Sequence, residues 1–107
     1  MSTLQPDRCA EFLRALSDPV RLKIIDALRQ APRCVSELAE ETGSELAVVS
    51  HHLGILRNAK FVEKERRGRF IVYRLNDRVY KPADSPRGLE HLDLGCCRIE
   101  MPSRNRR

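Results

Sequence analysis

The sequence predicts a mainly α-helical domain that finishes in a β-hairpin. Three observations carry this. Apolar residues recur at helical spacing in successive segments from Pro6 to Ala59. A short helix, a Gly-bearing turn and a longer amphipathic helix follow one another over residues 37–59. Two β-prone runs then flank Arg67-Gly68. A hairpin placed directly after a helix-turn-helix is a wing, so the expected class is a winged helix-turn-helix.

The elements follow in order. The first helix is expected from Pro6 to Leu16, with Cys9, Phe12, Leu13 and Leu16 on one apolar face suited to pairing with a second copy. Ser17 or Asp18 caps the second helix, and Pro19 suits its first position, where an N–H is not needed. Its stripe is Val20, Ile24, Ala27 and Leu28, with Leu22 and Ile25 beside them, and it ends near Gln30, before Pro32. Ser36 is the expected cap of the third helix, Glu37 to Glu41. Gly43 makes the turn, and a fourth helix runs from Glu45 to Ala59 with Val49, Leu53 and Leu56 inward. In the second run of the hairpin, Ile71, Tyr73 and Leu75 alternate with Phe70, Val72 and Arg74. Residues 76–87 read as a loop. Ser85-Pro86 starts a short last helix holding Leu89, His91 and Leu92, and Gly95 stops it. A basic tail, 102–107, is expected to be disordered. Residues 1–75 form the winged unit for DNA binding and dimerisation, and 76–107 a segment that carries cysteines.

The net charge of +5 is unevenly placed. Residues 1–60 balance at eight basic and eight acidic side chains, whereas residues 61–107 carry twelve and seven. Such concentrated positive charge fits a nucleic-acid partner. No apolar run approaches the ~18 residues of a membrane span, and the N-terminus lacks the apolar stretch of a signal peptide. A cytoplasmic protein is expected. Its four cysteines then read as metal ligands, redox thiols or small buried residues before disulfides. No Gly-rich phosphate loop follows a strand and no acid–base pair stands out, so no enzyme is expected. A small thiol-dependent redox enzyme is the rival of another class, and a protein-interaction module is a second.

The stretch ALSDPVRLKIIDAL, then RCVSELAEETG, then VVSHHLGILRNAKFVEKERRGRFIVYRL, resembles the ArsR/SmtB family of metal- and metalloid-sensing repressors. The resemblance runs from about Phe12 to Asn76. It implies a homodimer, with terminal helices at the interface, that binds an operator in double-stranded DNA and releases it on meeting an inducer.

One α-helix fits a major groove, and the N-terminal half of a recognition helix reaches the base edges. Ala47, Ser50, His51 and Gly54 face away from Val49, Leu53 and Leu56. Ser50 and His51 can hydrogen-bond a base or phosphate, and Ala47 can touch a thymine methyl. His52 sits where the family often has a histidine, with packing or a phosphate contact as its other role. Arg66, Arg67 and Arg69 around Gly68 suit phosphates and a narrow minor groove. Arg57 and Lys60 add backbone contacts.

Cys96 and Cys97 are adjacent in a polar stretch, which suits a soft-metal or thiol-redox site better than core packing. Binding one ion through both requires irregular backbone, which a turn at Gly95 supplies. Cys34 aligns with the first cysteine of the family's CVCDL motif, whose second cysteine is Ser36 here. Cys9 lies where the family sometimes recruits N-terminal ligands. The expected inducer is trivalent arsenic or antimony on Cys96, Cys97 and a third sulfur from Cys34 or Cys9. The alternatives are zinc, cadmium or lead, with His91 and Asp93 as further ligands, and a thiol switch.

Overall fold

The computed structural model describes residues 5–83 and 89–102. Its helices are α1 (Pro6–Leu16), α2 (Pro19–Leu28), α3 (Val35–Thr42) and α4 (Leu46–Asn58). The hairpin follows as β1 (Val62–Arg67) and β2 (Phe70–Leu75), antiparallel from Val62↔Leu75 to Arg67↔Phe70. Gly68 at its tip has φ +64°, the conformation a tight two-residue hairpin loop asks of its first residue. The winged helix-turn-helix expected from the sequence is therefore the observed fold.

Local chemistry sets the helix ends. Asp18 caps α2, its Oδ1 accepting the N–H groups of Val20 at 2.8 Å and Arg21 at 3.2 Å. α3 begins earlier than expected, because Cys34 rather than Ser36 is the N-cap. Glu37 stands three residues on and accepts the Cys34 N–H at 2.9 Å, half of a capping box. Gly43, at φ 70°, ends α3 in the left-handed conformation. α4 ends on Lys60, a non-glycine at φ 72°. There Phe61 N–H bonds to Leu56 O at 2.9 Å and Lys60 N–H to Arg57 O at 3.0 Å, the two bonds of a Schellman motif.

Ile24, Ile25, Leu38, Val49, Leu53, Leu56 and Phe61 are wholly buried and form the centre of the core. Each stabilises the fold by about 1.5–3 kcal/mol through lost water contact. Leu22 and Leu13, by contrast, lie exposed at 50% and 44%. Arg33 pairs with Tyr73 by two backbone hydrogen bonds, so the segment before α3 adds a short third rung to the wing.

The C-terminal stretch corrects the sequence reading. Its described residues form no helix. They make a second sheet of β3 (Tyr80–Lys81), β4 (His91–Asp93) and β5 (Arg98–Glu100), in order β3-β4-β5 and antiparallel throughout. Ser85-Pro86, the expected helix start, and the tail from Ser103 lie outside the described residues. Leu92 and Leu94 alternate into the core, and Gly95 at φ +86° reverses the chain instead of stopping a helix. The helical spacing of Leu89 and Leu92 misled because three-residue strands are too short to display a period. Val79, Leu92 and Leu94 join the same apolar cluster as the helices. No described helix is long and apolar enough to cross a membrane.

Candidate nucleic-acid face and thiol cluster

Val49, Leu53 and Leu56 anchor α4 in the core, which turns Ala47, Ser50, His51, Gly54 and Arg57 outward, all exposed. The stripe follows i, i+3, i+4, i+7 spacing, so it is one face of a helix. Leu46 is 55% exposed and extends the face at its N-terminal end.

His52 is placed differently. Its side chain is 13% exposed, and its Nδ1 accepts from Arg21 Nη1 at 2.9 Å. Nε2 lies 3.9 Å from Asp18 Oδ1. Arg21 also donates through Nε to Ala15 O at 2.6 Å, so His52 locks α4 to the α1–α2 corner. Burial works against the charged Asp18 carboxylate. The Arg21 and Val20 N–H groups, aided by His52 and Arg21, outweigh it and hold this carboxyl below its usual value. The sequence reading did not mark Arg21 as the partner of His52.

At the wing tip Arg66, Arg67 and Arg69 are all exposed. Arg67 Nε lies 3.2 Å from Glu65 Oε2. Among the described residues no ion pair involves Arg66 or Arg69, which leaves two guanidinium groups open to an outside anion. Phe70 is 61% exposed beside them.

The four cysteines separate into a trio and a remainder. Cys9 on α1 and Cys96 and Cys97 on the β4–β5 turn place their sulfurs within 4.8 Å of one another. Cys9 and Cys96 are joined as a disulfide, a state the sequence reading ranked last, and the Cys96 and Cys97 sulfurs lie 3.9 Å apart. Neighbours on a straight strand would point apart, and the turn at Gly95 brings them together. Cys34 is not in the trio; its Sγ lies 3.2 Å from Ser36 Oγ at the start of α3. His91 and Asp93 are outside it too. Asp93 Oδ1 accepts the Gly95 N–H at 2.9 Å, and His91 Nδ1 lies 3.2 Å from Arg98 Nη2. A cleft of about 250 Å³ between Gln5, Arg8, Phe12 and Leu94 is lined by Cys9 and Cys96.

A buried arginine holds this sheet to the helices. The Arg29 side chain is 2% exposed; its Nη2 lies 2.7 Å from Glu90 Oε1 and its Nη1 2.9 Å from Asp26 Oδ1. Burial alone would lower the Arg29 pKa, but Glu90 and then Asp26 outweigh it and raise it, so the group stays charged. Tyr80 donates to the same Glu90 oxygen at 2.8 Å; burial first, then Glu90, push its hydroxyl pKa up. No local pattern marked the Arg29–Glu90 contact, because the two residues lie 61 positions apart in sequence.

A helix-turn-helix with an outward polar stripe and a cationic wing defines the class: a winged helix-turn-helix protein. Residues 18–64 match the family of bacterial regulatory proteins named for arsR. The chain is 46% identical over 71 residues to the transcriptional repressor SmtB of Mycobacterium tuberculosis, covering 66% of this chain but only 53% of that protein. It is 39% identical to the transcriptional repressor SdpR of Bacillus subtilis over 62% of this chain and 73% of SdpR. A solved homodimeric winged helix-turn-helix DNA-binding domain from Mycobacterium bovis, a possible ArsR-family regulator, superposes with a TM-score of 0.64. Their sequences are 35% identical, and the match covers 67% of each chain. This chain belongs to the ArsR/SmtB family.

Proposed function

We propose that the protein is a homodimeric, DNA-binding transcriptional repressor that releases its operator when a thiophilic inducer, best trivalent arsenic or antimony, is held by Cys9, Cys96 and Cys97. The observation that carries the inducer is the grouping of these three sulfurs within one chain. Two thiolates on one tetrahedral ion at the zinc–sulfur distance of about 2.3 Å lie roughly 3.8 Å apart, a spacing that marks a thiophilic ion without choosing among them. Cys96 and Cys97 fit, at 3.9 Å. Among the described residues no histidine or carboxylate completes a fourth position, which favours a three-sulfur ion over tetrahedral zinc.

On the operator side, Ser50 and His51 would face base edges or phosphates, Ala47 a thymine methyl, and Arg66, Arg67 and Arg69 the backbone beside a minor groove. Arg57 would add a phosphate contact, and His52 would keep the helix at its angle. Cys9 would couple the two halves. It sits on α1, whose Phe12 packs edge-on against Phe61 just past α4, with ring centroids 5.8 Å apart. Closing the trio therefore fixes α1 relative to the C-terminal sheet. A preference of the inducer for the dimer that cannot dock on DNA would shift the population, with a coupling on the order of 1–3 kcal/mol.

The test is an operator gel-shift on the reduced protein, titrated with arsenite, antimonite, zinc and cadmium and repeated on Cys96→Ser/Cys97→Ser. Arsenite should release the wild type and leave the double variant bound. Release of both by arsenite would refute the site.

A further inference from the structure

We infer that Cys9, Cys96 and Cys97 form a redox-gated site: the Cys9–Cys96 disulfide and a three-thiolate soft ion are mutually exclusive ways of closing one staple between α1 and the β4–β5 turn. The inference rests on the thiol site proposed above and adds its regulation. Two features carry it. The same three sulfurs that could embrace one ion include a pair already joined as a disulfide. The third, Cys97, is exposed and remains a thiol.

The chemistry decides exclusivity. An ion such as trivalent arsenic takes thiolates, and a sulfur committed to an S–S bond is no longer one. Oxidation removes two of the three ligands at once and leaves only Cys97. Conversely, three thiolates sharing an ion are unavailable as nucleophiles for disulfide exchange. Both closed states hold Cys9 against the same turn, although the residues are separated by 87 positions in sequence.

The oxidant required is a small-molecule disulfide. One thiolate of the Cys9/Cys96 pair attacks a sulfur of that disulfide, forming a mixed disulfide and expelling one small thiolate. The other protein thiolate attacks the protein sulfur of the mixed disulfide and expels the second. The protein loses two protons and two electrons, and the small disulfide gains them as two thiols. Cys9 and Cys96 both line the cleft at Gln5 and Arg8, which gives the reagent a route to the pair. Cys34, near Ser36 on α3, takes no part.

The test uses the full chain without DNA, so it is independent of the repressor reading. The reduced protein should titrate four thiols, and protein treated with glutathione disulfide two, Cys34 and Cys97. Peptide mapping should place the link at Cys9–Cys96. Reduced protein should bind one arsenite per chain and keep one titratable thiol, whereas the oxidised form should show no saturable binding. Cys97→Ser should still form the disulfide yet lose tight arsenite binding, and Cys9→Ser should lose both. Arsenite binding of equal strength to oxidised and reduced protein overturns the inference, as does a Cys96–Cys97 link or a stable mixed disulfide in place of Cys9–Cys96. If instead the thiol results hold and no form binds operator DNA, the site stands and the repressor reading fails.

Discussion

The winged unit and the C-terminal sheet share one apolar core but differ in what fastens them beyond it. Between α2 and β1 the contacts are buried aliphatic and aromatic side chains, with Ile24, Leu38, Leu53 and Phe61 fully enclosed. The sheet adds Val79, Leu92 and Leu94 to the same apolar cluster, and polar and covalent links tie it to the helices besides: Arg29 to Glu90, which Tyr80 also bonds, and Cys9 to Cys96. Hydrophobic burial is blind to redox state and to soft ions. Sulfurs are not. The difference places the exposed polar face on the part held by apolar packing and the redox-active sulfurs at the junction of α1 with the C-terminal sheet.

The largest effect expected tests the proposed DNA-binding face. If the dimer neutralises ~6–10 phosphates, operator affinity should fall ~10³–10⁵-fold between about 50 and 200 mM salt, measured by fluorescence anisotropy. Arg66→Ala/Arg67→Ala/Arg69→Ala should flatten that salt dependence, and Cys96→Ser should leave it unchanged. A flat profile in the wild type would remove the wing from the interface.

The next effect probes the sheet's attachment. Glu90→Ala strips a carboxylate from buried Arg29 and should cost about 3 kcal/mol in denaturant unfolding. Amide exchange should rise in residues 91–100 before it rises in α4. Equal loosening of both would mean that the two regions are one cooperative unit.

Smaller effects lie within the winged unit. Lys60→Gly relieves a left-handed residue at the Schellman turn and should add about 1 kcal/mol of stability, read as a higher midpoint in urea. Asp18 supplies a pH signature. Its folded-state pKa is depressed, so its contribution is complete above the unfolded value near 3.8 and is lost as pH falls through the lower folded value. Asn caps equally well without titrating. Asp18→Asn should therefore fold normally and lose that part of the acid sensitivity in a stability-versus-pH series.

The residues themselves announced most of the winged unit. Apolar spacing located the helices, Asp18-Pro19 and Gly43 punctuated them, and Gly68 marked the wing tip. The outward placement of Ser50 and His51 followed from the same period. The α3 cap was misplaced because Glu37 reaches back to Cys34, a contact that competes with the nearer Ser36. For His52 the sequence left packing and a DNA contact both open, and only the ring's position against Arg21 showed that it is half-buried.

What the chain determined alone is what depends on neighbours in sequence: helix period, caps, turn residues and the charge of its second half. These act within a few residues, and each can be read where it stands. The three-dimensional fold alone decided that residues 91–100 are strands, that Arg29 is buried against Glu90, and that Cys9 rather than Cys34 meets Cys96 and Cys97. The last two join groups 61 and 87 positions apart, and the strands are held in place by core contacts from the distant helices. Their energy exists only once the core has brought them together, so no local pattern encodes it.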